Sequence, residues 1–174
     1  MKELLGWVRD ILIAVVIAGI LLAFFKPIII QQESMQPSFY SGDYVITSRQ
    51  AYNLFGEPQH GDVIVFKTDM YDDSGKPKNL IKRIIGIPGD TVEIIDGYVY
   101  LNGELLEEEY IAEQGISGNM EAFTVPEGKL FAMGDNRRVS LDSRNPEVGP
   151  IDQDTIIGKV VVRVYPFSQF KVFK

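Results

Sequence analysis

EIIDGYVYLNGEL, residues 93–105, contains two dipeptides that reverse an extended chain. Asp96-Gly97 supplies the two positive-φ positions of a tight hairpin turn, and Asn102-Gly103 can reverse the chain again. The residues on either side are mostly β-branched or aromatic, which favours strands. The stretch therefore predicts neighbouring antiparallel strands.

Similar short segments recur along most of the chain. Most are rich in β-branched or aromatic residues and bounded by Gly, Pro, Asn or Asp. They are DYVIT (43–47), DVIVFK (62–67), LIKRIIGI (80–87), TVEII (91–95), YVYL (98–101), KLFAM (129–133) and GKVVVRVYP (158–166). Because no long amphipathic helix competes with them, we expect a mainly β fold, an antiparallel and partly closed β-barrel. Residues 68–79, 107–109 and 112–120 are expected to form exposed loops.

The N-terminal region is apolar instead. ILIAVVIAGILLAFF, residues 11–25, has no polar side chain, and a helix of about 20 residues crosses a bilayer. Lys26 can extend its ammonium group to lipid headgroups, Trp7 suits the opposite interface, and Pro27 favours a helix end. The sequence predicts one transmembrane helix over roughly residues 5–25.

A cleaved signal peptide would also begin with charges and an apolar stretch. KPIIIQQESM, which follows the apolar run, has no small-x-small cleavage site, so the sequence favours an uncleaved anchor. Lys2 and Arg9 favour a cytoplasmic N-terminus by the positive-inside rule. We expect a cytoplasmic tip and anchor in residues 1–26 and an extracytoplasmic β-domain in residues 27–174.

The composition excludes several kinds of function. The 174 residues carry 17 basic and 24 acidic side chains, and no basic tract could neutralise a row of phosphates, which argues against nucleic acid as a partner. Cysteine is absent, so disulfides, thiolate nucleophiles and Cys-ligated zinc are excluded. The single histidine, His60, rules out a multi-histidine metal site and is expected to be a solvated loop residue. We expect neither a metal nor a cofactor.

Two segments are unusual for such a domain. In NLIKRIIGIPGD, residues 79–90, Lys82 and Arg83 follow each other within aliphatic neighbours, and strand alternation puts them on opposite faces. An edge strand with two solvated cations is one interpretation, and a central strand with a buried cation is the other. MGDNRRVSLDSRNPEVG, residues 133–149, is dense in Asp, Asn, Arg and Ser, as in a hydrogen-bonded cluster. Taken alone, it fits a calcium-binding loop or a merely well-capped loop.

Together with SMQP, residues 34–37, these segments resemble the type I signal peptidases (leader peptidases), membrane-bound serine proteases with a Ser-Lys dyad that remove signal peptides from exported preproteins. SMQP followed by GDYVI resembles the nucleophile box of the family, and KRIIGIPGD resembles its base box. GDNRRVSLDSR fits the family pattern Gly-Asp-Asn-Arg-x-x-Ser-x-Asp-Ser-Arg at every fixed position. The motifs run in order behind one anchor and cover nearly the whole chain, as in the Gram-positive branch.

The resemblance implies that Ser34 is the nucleophile and Lys82 its general base. A lysine accepts a proton only when it is neutral, so its pKa would have to fall from about 10.4 to roughly 7 to 8. Burial among aliphatic residues lowers a lysine pKa in this direction. Hydrolysis would then proceed through an ester of Ser34 with the last residue of the signal peptide.

Residues around the dyad are given supporting roles by the same resemblance. Ser140 is expected to hydrogen-bond and orient the general base, and Gly134 is expected to let that lysine pack closely. An ion-pair cluster that braces the loop is expected from Asp142, Arg144 and Arg83.

The oxyanion hole departs from the family pattern. In the family, the backbone N–H of the nucleophile is one donor, and in some members a hydroxyl two residues earlier is the other. Here that position is Gln32, followed by Glu33, whose negative charge is unfavourable beside an oxyanion unless it points away. The second donor is therefore open.

Substrate selection is expected at the strand edges that flank the dyad. The residues that resemble the family's pocket walls are Ile30, Gln32, Met35, Phe39, Leu80 and Ile81. An extended peptide would add there as a strand, with small side chains at the first and third positions before the cut, which implies Ala-x-Ala specificity. The eight residues from Lys26 to Ser34 reach at most about 26 Å, so the site is expected near the membrane surface.

Two other functions remain open. A self-cleaving repressor or related Ser-Lys protease shares the chemistry, but the anchor and the GDNR loop argue against it. A catalytically inactive, membrane-tethered binding module would keep the fold, and only the altered Gln32-Glu33 pair favours it. Penicillin-binding chemistry needs a lysine three residues after the serine, where this chain has Pro37. The expected partners are secretory preproteins and the lipid bilayer of the cell membrane.

Overall fold

The computed structural model describes residues 2–54, 56–72 and 75–173. The chain begins with helix α1, Lys2–Phe24, followed directly by strand β1, Phe25–Ile29. Within α1, the segment Gly6–Phe24 has a mean hydropathy of 2.3, and its apolar side chains project away from the rest of the chain. The predicted apolar helix is confirmed, and its length is sufficient to cross a bilayer.

The rest of the chain is mainly β-structure. A short helix, α2, spans Ala51–Leu54. The further strands are β2 (Tyr44–Ser48), β3 (Val63–Tyr71), β4 (Pro77–Gly86), β5 (Thr91–Ile95), β6 (Tyr98–Leu101), β7 (Glu104–Leu105), β8 (Met120–Thr124), β9 (Lys129–Met133), β10 (Ile151–Asp152), β11 (Ile156–Tyr165) and β12 (Lys171–Val172).

These strands form two antiparallel sheets in the described part of the chain. The larger has the order β1-β2-β11-β3-β4-β9-β10, with β12 paired to β11, and the smaller has the order β7-β6-β5-β8. The order of the larger sheet ends at β1 and β10, so this sheet does not close completely. The expected mainly β, antiparallel and partly closed architecture is confirmed.

The hairpin of β5 and β6 has the predicted turn. Asp96 and Gly97 adopt φ angles of 50° and 83°, and Asn102 and Gly103 adopt 55° and 83°. A Cβ at Gly97 would also lie 2.2 Å from the carbonyl of Gly115, so the position requires glycine on two grounds.

Strand β4 lies at the centre of the larger sheet and connects its hydrophobic clusters. Ile81 packs in one hydrophobic cluster with Met35 and Phe39. Leu80 and Ile84 belong to a second cluster, which also contains side chains of β3 and β9. β4 has β3 on one side and β9 on the other. The edge-strand interpretation of the Lys82–Arg83 segment is therefore wrong.

Two sequence predictions for loops need correction. Residues 68–71 and 77–79 are strand, because β3 continues to Tyr71 and β4 starts at Pro77, and the Thr68 hydroxyl donates to the Lys78 carbonyl at 2.9 Å; residues 73 and 74 lie outside the described residues. In the acidic stretch 107–109, Glu108 is buried by an ion pair with a distant arginine, described below. The predicted loop 112–120 is confirmed except at its last residue, Met120, where strand β8 begins. Short strands such as β1 escaped prediction because their pairing partners are distant in sequence.

Candidate active site

Ser34 and Lys82 meet in the interior of the domain. Ser34 lies in the loop between β1 and β2, and Lys82 lies in the middle of β4. The Lys82 Nζ donates hydrogen bonds to Ser34 Oγ at 2.7 Å and to the Ile81 carbonyl at 2.9 Å. Ser34 is 5% exposed and Lys82 only 1%. A hydroxyl and an amine are thus held in contact and largely shielded from water.

The environment of Lys82 favours its neutral form. Burial lowers the pKa of Lys82 to about 8, although the negative charges of Asp142 and Asp135 partly oppose this and Arg144 adds to the lowering. Removing an ammonium group from water disfavours its charged form. At pH 7 about a tenth of the lysine would be neutral at this pKa.

The loop from Gly134 to Arg144 closes over the serine. The Asn136 backbone N–H donates to the Ser34 carbonyl at 3.0 Å, and the Asn136 side-chain amide donates to the Glu33 carbonyl at 3.2 Å. The Gly134 N–H donates to Asp142 Oδ2 at 2.9 Å. These bonds fix the backbone of the nucleophile segment from the side of the loop.

Gly134 and Ser140 lie close together, but not in the relationship that the sequence predicted. A Cβ at Gly134 would lie 2.2 Å from Ser140 Oγ and 2.4 Å from the Ser34 carbonyl oxygen. The nearest atoms to this missing Cβ therefore belong to the two serines and not to Lys82. The buried Ser140 Oγ has no hydrogen-bond partner among the described residues, so the predicted bond to Lys82 is not formed here.

The predicted ion-pair cluster is divided into two pairs. Arg144 Nε and Nη2 donate to the Asp142 carboxylate at 2.8 Å and 2.9 Å. Burial raises the pKa of Asp142, but the hydrogen bonds and charge of Arg144 outweigh it, and this pKa lies below its ordinary value. Arg83 pairs instead with Asp135, through bonds of 2.9 Å and 2.7 Å. Grouping Arg83 with Asp142 was therefore wrong.

Sequence reasoning missed a buried ion pair beside this loop. The Arg137 guanidinium donates to both carboxylate oxygens of Glu108, and the side chains of this pair are at most 2% exposed. The Tyr110 hydroxyl also donates to Glu108, at 2.8 Å, and Arg83 lies 4.1 Å above the Tyr110 ring. Glu108 lies between β7 and β8, outside any strand, and nothing in the run Glu107–Glu109 distinguishes it from its two exposed neighbours.

A groove of about 410 Å³ lies on one side of the dyad. One wall is formed by residues 26–32 and the other mainly by residues 77–81. Four of the predicted substrate residues line it: Ile30, Gln32, Leu80 and Ile81. Met35 and Phe39 do not; both are fully buried in the core, where Phe39 stacks on Phe173 at a centroid distance of 5.0 Å.

The pairing of β4 leaves a sheet edge available in this groove. Residues 77–81 pair with β3 on one side, whereas β9 pairs only with the part of β4 from Arg83 to Gly86. The backbone of residues 77–81 can therefore accept another extended strand on its second side. Gln32 and Glu33 are both exposed at the end of the opposite wall.

Known proteins resemble this chain over nearly its whole length. The signal peptidase family, peptidase S26, matches residues 4–165. Signal peptidase I of Bacillus licheniformis is 35% identical over 180 residues, which cover 98% of this chain and 93% of that protein. Signal peptidase IB of Staphylococcus aureus is 38% identical over 188 residues, covering 98% and 94%.

A crystal structure of a signal peptidase I from Enterococcus faecalis is 33% identical, with a TM-score of 0.49, and the match covers 59% of this chain and 96% of that one. The family match and the curated relatives together place nearly the whole sequence, from helix α1 to strand β11, in one family. The chain belongs to the signal peptidase family, peptidase S26, and is a serine endopeptidase of that family.

Proposed function

We propose that this enzyme is anchored in the cell membrane and removes signal peptides by a Ser34–Lys82 mechanism. The buried 2.7 Å hydrogen bond between Lys82 Nζ and Ser34 Oγ carries the proposal. A serine hydroxyl needs a neighbouring base, and no imidazole takes part, because the single histidine instead contacts Asp90 on the surface.

The reaction begins when neutral Lys82 takes the proton of Ser34 and the serine oxygen attacks the carbonyl carbon before the cut. Lys82 then gives that proton to the leaving amine, so the mature protein departs and the signal peptide stays on Ser34 as an ester. Lys82 next deprotonates a water molecule, whose oxygen attacks the ester, and Lys82 returns the proton to Ser34 Oγ as the signal peptide leaves with a free carboxylate. The Ser34 N–H makes no hydrogen bond to another described residue, and it is the proposed oxyanion donor.

The supporting residues are proposed to act through the dyad. Asp142 and Arg144 hold the loop that covers Ser34, and Gly134 allows this loop to approach the serine carbonyl. Arg83 fixes the same loop through Asp135. Ser140, whose Oγ is buried next to Gly134, is proposed to orient Lys82 when substrate is bound.

The groove is proposed to hold the last residues of the signal peptide. An extended peptide would pair with the free edge of residues 77–81, and its small side chains would face the apolar wall around Ile30 and Ile81. This supports cleavage after an Ala-x-Ala site. The groove begins at Lys26, only two residues after the end of α1, which supports an active site close to the bilayer.

The proposal includes the division of the chain. Residues 1–26 are the anchor, with a cytoplasmic N-terminus, and residues 27–174 are the catalytic domain.

The proposed function is tested by cleavage of a preprotein with an Ala-x-Ala site by the full chain in detergent. We expect cleavage after the final alanine, and no cleavage by Ser34→Ala or Lys82→Ala. Ser168→Ala and Lys171→Ala, both exposed near the C-terminus, are the matched controls and should cleave normally. Activity retained in Ser34→Ala would overturn the proposal.

A further inference from the structure

A second cleft, of about 290 Å³, opens beside Ser34. One wall contains Gln36, Pro37 and Tyr40, which follow the serine in sequence. The facing wall contains Glu113 and residues 135–138. This cleft shares no lining residue with the groove that runs toward the anchor.

Along the chain, both dyad residues lie between residues that line the groove and residues that line this second cleft. Along the first wall, residues 26–32 line the groove, then comes Ser34, and residues 36–40 line the cleft. Along the other wall, residues 77–81 line the groove, then comes Lys82, and the next residue, Arg83, holds Asp135 of the cleft. A peptide lying in the groove with its scissile carbonyl at Ser34 would therefore continue into the cleft.

We propose that this cleft binds the first residues of the mature protein, on the far side of the cut; the proposal rests on the proposed function. Its occupant would be an extended, polar peptide segment. The side-chain amides of Gln36 and Asn136 can donate to and accept from a peptide backbone. Polar groups therefore line the path of the leaving chain, together with the apolar side chains of Ala112 and Ile116.

The cleft is held in shape by buried contacts. Arg137 joins its loop to Glu108 through the buried ion pair, and the Arg137 Nη1 also donates to Ser117 Oγ at 3.3 Å. Glu108 and Ser117 lie on either side of Glu113 in sequence. Their bonds to Arg137 therefore fix both ends of the segment that contributes Glu113 to the cleft wall. The wall is thus built into the fold.

Two charges in the cleft are available to a substrate. Arg138 Nη2 lies 2.7 Å from Glu113 Oε2, and these side chains are 67% and 57% exposed. The other charged residues of the cleft, Asp135 and Arg137, are buried and paired within the protein. Because Glu113 and Arg138 have opposite charges, the parent enzyme should accept acidic and basic mature sequences about equally.

Charge reversal at these positions tests the proposal. The substrates are two preproteins that differ only at the second and third residues after the cut. Both of these residues are Glu in the Glu substrate, and both are Lys in the Lys substrate. We expect Arg138→Glu to cleave the Lys substrate about three- to tenfold faster than the Glu substrate, and Glu113→Arg to show the opposite preference. The double reversal, Glu113→Arg with Arg138→Glu, should return the ratio to that of the parent. Both preferences should weaken at high salt, because exposed charges are screened.

Lys129→Glu is the matched control, because Lys129 also forms a partly exposed ion pair, with Asp152, and does not line the cleft. Its cleavage ratio should equal that of the parent, and thermal unfolding should show that every variant is folded. If both single reversals keep the parent ratio while the parent cleaves both substrates, the cleft proposal is overturned and the proposed function stands. If the parent cleaves neither substrate nor any other Ala-x-Ala preprotein, both proposals are overturned.

Discussion

Arg83 donates two hydrogen bonds to the carboxylate of Asp135, at 2.9 Å and 2.7 Å. The Asp135 side chain is fully buried, and that of Arg83 is 11% exposed. Since Arg83 directly follows Lys82 in β4, this ion pair connects the strand of the proposed base to the loop that covers Ser34.

Asp135→Ala should strongly destabilise the domain. It leaves the Arg83 guanidinium without its carboxylate partner, and breaking a buried ion pair in this way costs about 3 to 5 kcal/mol. Urea unfolding of the full chain in detergent measures the change in free energy of unfolding. Asp152→Ala, which breaks the more exposed pair with Lys129, should cost at most about 1 kcal/mol. Equal losses in the two variants would show that the Arg83–Asp135 pair has no special structural role.

Glu108→Ala should be destabilising in the same way, although the sequence suggests a surface glutamate. The substitution leaves Arg137 buried and unpaired, with an expected loss of about 3 to 5 kcal/mol. The neighbouring Glu107 and Glu109 are exposed, so Glu107→Ala and Glu109→Ala should change the free energy of unfolding by about 0.5 kcal/mol or less. A Glu108→Ala variant as stable as these controls would contradict the buried placement.

Gly134→Ala should abolish most of the activity. The new Cβ would lie within 2.4 Å of both Ser140 Oγ and the Ser34 carbonyl oxygen, so the loop must move away from the serine. Adding Ser140→Gly removes one of these clashes but not the contact with the Ser34 backbone, so the double variant should stay inactive. Gly19→Ala, in an open position on α1, is the control and should cleave normally. Full activity in Gly134→Ala would show that the loop tolerates displacement.

Lys82 should destabilise the folded chain at neutral pH. Its folded pKa, about 8, lies below that of an unfolded lysine, so between pH 8 and about 10.4 the unfolded chain binds more protons and stability rises with pH. Below pH 8 the buried, charged Lys82 lowers the free energy of unfolding by its full amount, roughly 3 kcal/mol.

Lys82→Met removes this titration. We expect the variant to gain stability over the parent at pH 7 and to lose that advantage progressively by pH 10.5. Urea unfolding of both proteins at several pH values gives the difference directly. If the difference in free energy of unfolding between Lys82→Met and the parent stayed constant from pH 7 to pH 10.5, the lowered pKa of Lys82 would be contradicted.

Local sequence patterns predicted the apolar helix, the seven longer or turn-bounded strands, and the hairpin turn at Asp96-Gly97. The resemblance to the type I signal peptidases singled out Ser34 and Lys82, which the fold brings together across 48 positions of sequence. Three of the misassigned features depend on distant partners. Glu108 is buried only because Arg137 reaches it, Arg83 selects Asp135 instead of Asp142, and β1 becomes a strand by pairing with β2. Spacing within one segment carries no information about such contacts.

The pH dependence of kcat/KM tests the central claim most directly, because it reports the pKa of the essential base in the free enzyme. With an Ala-x-Ala preprotein and the full chain in detergent, we predict a rate that rises about tenfold per pH unit on the acid side and levels off above pH 8, where Lys82 becomes neutral. A profile with no ionisation below about pH 9.5, or comparable cleavage by Lys82→Ala, would contradict Lys82 as the base.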